Sequence, residues 1–346
     1  MARRPLPRLG VPLIAGAVLT LAGLLTAVVL PGAMAGWLGA AVLFSAVPFG
    51  ALYLEMMMRL IPGAWGEELR LSTEAATLLT PWAALVFLPV LIGMGAIYPW
   101  LQPVELTGLQ QVMLSPAFFV LLTVVRFAAL WWLGARMRRR RAPGPTAGGG
   151  LVLLPVLALL AAFVWLMSLD PKFASSAFGL QFLEREFMVA FCALLLLRLS
   201  IGRPPRRPGV LGGLLFTLLL LWAYIEFLPY FISYSSNLPD AAKWYIERGT
   251  DGWGALLWTW GVLSGVPLFA LLFAKLRNSS VALRAFAAAI LLGKACEMAW
   301  VTLPQFGTPA VIAFWLSSAG LALVGLALLP GALRRRIRSR MPKEAR

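Results

Sequence analysis

The chain has 346 residues, of which 60% are hydrophobic and 13% charged, with a formal net charge of +16. A soluble domain carries roughly 25% charged residues, so an ordinary soluble fold is excluded, in keeping with a mean hydropathy of +0.84. The positive charge is not that of a nucleic-acid-binding domain: the basic residues cluster at the ends of apolar runs and leave no polar stretch long enough to form one.

A basic start, Met1 to Leu9, leads into an apolar run over 11–30. The small residues Ala33 and Ala35 beyond it suit a signal peptide, but the run is long for a signal core and is read as a retained first span. Nine more apolar stretches follow, over 36–58, 74–98, 116–135, 150–168, 179–199, 210–233, 253–274, 281–302 and 310–330. Runs of about 20 residues match the hydrocarbon thickness, and backbone in lipid must bond within its own segment, so each is expected to be a helix. The expected fold class is an all-α polytopic membrane protein of about ten spans.

Basic residues in alternate connections test that count. The N-terminus, the second, fourth, sixth and eighth connections and the C-terminal tail carry 24 lysines and arginines. The opposite set carries only Lys172, Lys243 and Arg248. The asymmetry predicts both termini on the cytoplasmic side of the membrane. The fourth connection combines Arg136, Arg138, Arg139, Arg140 and Arg141 with a glycine- and proline-rich stretch over 143–150. It reads as a stop-transfer anchor that also attracts anionic lipid, and as a hinge between two halves. Phe87-Leu88-Pro89 in the third span echoes Phe227-Leu228-Pro229 in the seventh, which would suit a parallel internal repeat.

The chain contains no histidine and two cysteines, Cys192 and Cys296, both in apolar spans. These residues cannot supply a bis-histidine haem, an HExxH zinc site, a Ser-His-Asp triad or an iron–sulfur cluster. Any metal redox centre therefore belongs to a partner.

Charges within hydrocarbon cost a few kcal/mol, roughly 2.5–3.5 on insertion scales, so those inside the spans are candidate functional groups. They are Glu55 in the second span, Arg126 in the fourth, Glu184, Arg185 and Glu186 in the sixth, Glu226 in the seventh, and Lys294 and Glu297 in the ninth. Lys294 and Glu297 share a helical face and can pair, as a structural ion pair or as a step in a proton or quinol-headgroup path. Glu226 has no opposite charge in its own helix and is expected either to hold and release a proton or to pair with Arg126 or Lys294. Glu55 lies near a span end and can snorkel to the interface. Arg126 needs an acidic partner that the sequence does not name. Glu184 and Glu186 flank Arg185 but point different ways, one suited to a proton exit and the other to local pairing. Tryptophan and tyrosine gather near span ends as an aromatic belt.

Two connections on the sparsely charged side are less generic. Asp170 precedes Pro171 in a turn, and Asn237 and Asp240 suit turns and a helix cap in a connection of about 20 residues after the seventh span. The segments MSLDP…FG (167–179) and WAY…YSSNLPDAAKWY…GW (222–253) resemble the ActF subunit of alternative complex III, an NrfD-like membrane subunit of a quinol:cytochrome c oxidoreductase. FLPVLIG…YPW (87–100) and GAWG (63–66) are similar to it as well, and the resemblance covers most of the length.

The resemblance implies two four-helix bundles plus a peripheral helix pair. On this chain that means 36–141 with helix 150–168 in the first bundle, 179–302 in the second, and 11–30 with 310–330 at the periphery. It also implies an NrfD-like partner subunit, an iron–sulfur protein and haem-c cytochrome subunits that carry the electrons, while this chain binds no redox cofactor alone and offers a quinone (quinol) surface or a proton path. The chain departs from the family pattern at Lys172, where an aromatic or histidine is usual, and around Glu226, where the family carries a Ser-Gln pair two residues later and no acid. Lys294 and Glu297 match an Arg-x-x-Asp-like pair with the signs preserved. The expected function is a membrane subunit of a quinol-oxidising respiratory complex. A proton-coupled secondary transporter and a structural scaffold for cytochrome subunits are the alternatives.

Overall fold

The computed structural model describes residues 10–102, 108–139, 144–201, 205–236 and 239–340. Among them are fourteen α-helices and no strand. In chain order they are α1 (Gly10–Val29), α2 (Met34–Leu60), α3 (Ala64–Ala76), α4 (Thr80–Ile92), α5 (Leu109–Met113), α6 (Pro116–Met137) and α7 (Gly144–Ala161). They continue as α8 (Phe178–Ser200), α9 (Pro208–Ser235), α10 (Pro239–Gly249), α11 (Asp251–Ala270), α12 (Ala274–Arg277), α13 (Ser280–Thr302) and α14 (Gly307–Arg340).

Eight helical segments among the described residues are long and apolar enough to cross a membrane: α1, α2, α3 with α4, α6, α7 with its continuation to Leu169, α9, α11 and α14. Twenty residues at 1.5 Å each span about 30 Å, the thickness of the hydrocarbon. The chain is therefore a multi-pass helical membrane protein. Helices α8 and α13 have 23 residues each and carry the densest internal charge.

Helix α2 lies at the centre, with 89% of its apolar window buried. It packs against α4, α6 and α7 on one side and against α8 and α14 on others. Helix α8 in turn packs against α9 and α13, and α11 lies along α13. Helix α1 runs along α14, with only 17% of its window buried. Small residues set the closest approaches. A Cβ at Gly320 of α14 would stand 2.4 Å from the Thr20 nitrogen of α1, and one at Gly50 of α2 would stand 2.2 Å from the Glu186 carbonyl oxygen of α8. Gly50→Ala must push α2 away from α8, and overpacking of this kind costs about 1–3 kcal/mol. Thermal unfolding in detergent should show a lowered midpoint; an unchanged midpoint would mean that the α2–α8 contact is not close.

Alternate connections gather at opposite ends. At the arginine-rich end, Arg59 bonds the Met137 carbonyl at 3.0 Å, Arg138 bonds Thr77 at 2.8 Å, Arg284 bonds the Leu199 carbonyl at 2.7 Å, and Arg198 and Arg336 pair with Glu68 and Glu74. At the other end, Trp100 donates to Ser168 at 3.1 Å, Gln305 to the Leu169 carbonyl at 2.7 Å and Trp300 to the Arg248 carbonyl at 2.8 Å.

Several boundaries differ from the sequence expectation. The stretch before the third span, expected as a connection, is the helix α3. Its polar residues hide it from a hydropathy reading, yet those on its buried face are satisfied internally: Glu74 is fully buried with Arg336, and Thr73, like Thr77 and Thr80 just beyond the helix, bonds a carbonyl three residues back. The third span's helix stops at Ile92 rather than continuing to residue 98, and tight turns at Met94–Ala96 and Pro99–Leu101 follow. The connection after α9 contains the amphipathic helix α10, and α14 continues ten residues beyond the apolar run. Phe87 is buried but Phe227 is 59% exposed, so the two Phe-Leu-Pro triplets do not occupy like environments.

Candidate functional site

Helix α8 places charges on two sides because successive residues turn by about 100°. Glu184 and Glu186, two apart, face nearly opposite directions, whereas Gln181 and Arg185, four apart, share a face.

The first network fills the space between α8, α9 and α13. Arg185 Nε donates to Glu297 Oε1 at 2.6 Å, and an Arg185 Nη stands 3.8 Å from Glu226 Oε1. Lys294 Nζ donates to Glu184 Oε2 at 2.7 Å and lies 2.8 Å from Glu297 Oε2, an ion contact outside hydrogen-bond angles. Gln181 Nε2 donates to Glu226 Oε2 at 3.0 Å. Lys294 also sits 5.7 Å above the Trp222 ring, one turn before Glu226. Thus Lys294 and Glu297 pair within their helix as their spacing suggested, but each also reaches α8.

Three carboxylates face two cations in this network. The side chains of Glu184, Arg185, Lys294 and Glu297 are essentially inaccessible, while that of Glu226 is 13% exposed. Glu226 is therefore the rim of the cluster. One oxygen each of Glu184, Glu226 and Glu297 lie within 4.8 Å of one another, a donor set that suits a hard cation. Lys294 and Arg185 contact all three carboxylates, so two side-chain cations stand where a metal's charge would.

The second network lies on the other side of α8. Arg126 of α6 pairs closely with Glu186 and is surrounded by the rings of Phe49, Trp165 and Phe182, whose centroids lie 4.1, 4.7 and 5.1 Å from the guanidinium carbon. The Tyr53 hydroxyl lies 3.2 Å from Glu186 Oε2 and 3.3 Å from the Leu154 carbonyl, and its one proton serves either acceptor. This network is balanced, one cation to one anion. Arg126 thus finds Glu186 and not Glu226, whose ion contact is Arg185.

Glu55 belongs to neither network. It contacts Arg59 at 3.7 Å, its oxygens have no hydrogen-bond partner, and it lies within electrostatic range of Glu74, Arg138 and Arg336 at the arginine-rich end.

At the opposite end the two motif-bearing connections meet. Asp170 Oδ1 accepts from the Lys172 backbone at 3.2 Å, forming the turn. Phe173, just after it, stacks on Trp244 of α10 with centroids 4.3 Å apart, and Trp244 meets Trp300 of α13 edge-on. Arg248 lies 3.9 Å from the centroid of Trp244. Burial pushes its guanidinium down to about 10, against the pull of Asp170 and Glu247. Tyr245 on the same helix lies within hydrogen-bonding reach of Gln181, and burial pushes its phenol up, so it remains a neutral hydroxyl. Asn237 lies outside the described residues, as does the side chain of Asp240.

Sequence reasoning missed Gln181, Tyr53 and Tyr245. Gln181 was detectable as a lone amide in an apolar run one turn before Arg185. Tyr53 and Tyr245 look like any interfacial tyrosine until the helices are packed. No protein-family model matches the chain, and no curated protein matches it.

Proposed function

We propose that this chain is a membrane subunit of a quinol-oxidising respiratory electron-transfer complex, related to the ActF subunit of alternative complex III, and that its part is to carry protons. The observation that carries the reading is the cluster of Glu184, Glu226 and Glu297 with only Arg185 and Lys294 to balance them. A net charge left in low dielectric is costly, so the cluster favours uptake of one positive charge. Its close packing suits a proton better than a larger ion. Glu226, at the rim, is the residue that takes it up, and Gln181 and Tyr245 lead from it toward the sparsely charged side.

The ten-span topology belongs to this proposal. In it α8 and α13 cross the membrane as well, both termini face the cytoplasm, and the membrane is the bacterial inner membrane. The separate gathering of odd and even connections supports it, together with the charge asymmetry. The association of α2 with α4, α6 and α7, of α8 and α11 with α9 and α13, and of α1 with α14 supports two bundles and a peripheral pair. Electrons would pass through an iron–sulfur protein and haem-c subunits, alongside an NrfD-like partner. Quinol would bind at their junction with this chain.

Affinity purification from the native membrane tests the assembly. Haem and iron–sulfur absorption should co-elute with the tagged chain. Elution alone, with proton uptake that depends on an added solute, would favour a proton-coupled transporter using the same carboxylates. In the assembled complex, Tyr245→Phe should slow proton release about tenfold or more without loss of haem-containing partners. Full proton movement in that variant would remove Tyr245 from the path.

A further inference from the structure

The arginine-rich end holds a cleft of about 730 Å³ that the proton reading does not use. It lies between the α2–α3 turn and the start of α9, and its charged lining is Glu67, Glu68, Arg70, Arg206 and Arg207. Glu68 is already neutralised: Arg198 pairs with it, and the Arg206 backbone N–H donates to its Oε1 at 2.8 Å. These two bonds hold the α8–α9 connection against α3 and bring Arg206 and Arg207 beside Arg70. None of those three guanidinium groups has an ion-pair partner among the described residues. Against them stands the exposed Glu67, so the cleft keeps two positive charges in excess.

Two further features describe its occupant. Helix α3 has Gly63 at its N-cap and so no side-chain cap, and Gly63 and Ala64 line the cleft, so the positive end of the helix adds to the field. Leu60 and Ile61, next to the lining Pro62, are 45% and 61% exposed. An apolar lip beside a cationic cleft at the end of membrane-crossing helices fits a molecule with an anionic head and hydrocarbon tails. The volume lies in the range of small-molecule sites.

We infer that this cleft binds the phosphate of an anionic phospholipid, with Arg70, Arg206 and Arg207 on the phosphate oxygens and Leu60 and Ile61 against the acyl chains. The inference is independent of the proton path.

The test is titration of the purified protein with phosphatidylglycerol, followed by native mass spectrometry, with phosphatidylcholine as the neutral comparison. The wild type should retain phosphatidylglycerol in preference. Removing two basic groups, as Arg70→Gln with Arg207→Gln, should weaken retention roughly thirtyfold. Glu67→Gln should strengthen it. Arg334→Gln with Arg335→Gln removes the same charge from exposed positions on α14 and should leave retention unchanged. Equal losses in the two double variants would overturn the site in favour of a diffuse surface charge. Displacement of the lipid by millimolar inorganic phosphate would overturn the lipid assignment in favour of a small-anion site. The Glu67→Gln result remains decisive if the arginine variants fail to fold, because no gain in retention would sink the proposal.

Discussion

Arg126→Leu should lower the unfolding free energy of the purified protein by about 3–5 kcal/mol, because it leaves the buried Glu186 carboxylate without its cation. Tyr53 would remain as a single hydrogen-bond donor to that carboxylate, which is far from full compensation. Arg126→Leu combined with Glu186→Leu should recover most of the loss, since apolar side chains of similar size suit a site lined by Phe49, Trp165 and Phe182. Thermal or denaturant unfolding in detergent reads both variants. Equal destabilisation of the single and double variants would show that the aromatic enclosure of Arg126, not its charge pairing, is what holds α6 to α8.

Glu226→Gln should act in the opposite sense on stability and strongly on activity. The substitution leaves Glu184 and Glu297 facing Arg185 and Lys294, a balanced set, so the unfolding midpoint should hold or rise. Lys294→Met leaves three carboxylates facing Arg185 alone and should cost about 3–5 kcal/mol. In proteoliposomes of the assembled complex, Glu226→Gln should reduce quinol-driven proton movement about 100-fold or more, the loss expected for a positioned proton-transfer group. Unchanged proton movement and turnover would leave the chain as a scaffold for the cytochrome subunits.

Local regularities in the sequence made part of this legible. The apolar runs located most of the long helices because hydrocarbon imposes length and composition directly. Three-residue spacing placed Lys294 against Glu297, and two-residue spacing set Glu184 and Glu186 on opposite sides of α8. The remaining partners are distant in sequence. Glu186 is 60 residues from Arg126, Glu184 is 110 from Lys294, and Glu297 is 112 from Arg185. They meet only because α6, α8 and α13 pack as they do, and no local pattern specifies that packing. Arg185 was overlooked as the partner of Glu226 because its neighbours in sequence are both glutamates. Adjacent residues on a helix do not face each other, so Arg185 remained available to α9 and α13. Helix α3 was invisible for a different reason: the polar residues of its buried face, Glu74 and Thr73, are satisfied by an ion pair and a hydroxyl–carbonyl bond, and hydropathy has no means of registering a partner.

The pairing of α1 with α14 bears on how the protein is made. After α1 is complete the ribosome must still add about 280 residues before α14 begins, a wait on the order of tens of seconds at about 5–20 residues per second. Throughout that interval α1 has only its smaller contact with α2 beside lipid or the insertion machinery, and its own apolar surface must keep it in the bilayer. Arg336 likewise reaches Glu74 only when a residue 262 positions later has been synthesised. Closure of the arginine-rich end therefore waits for α14, and a ribosome that stalls before α14 would release a chain whose α1 still lacks that dock.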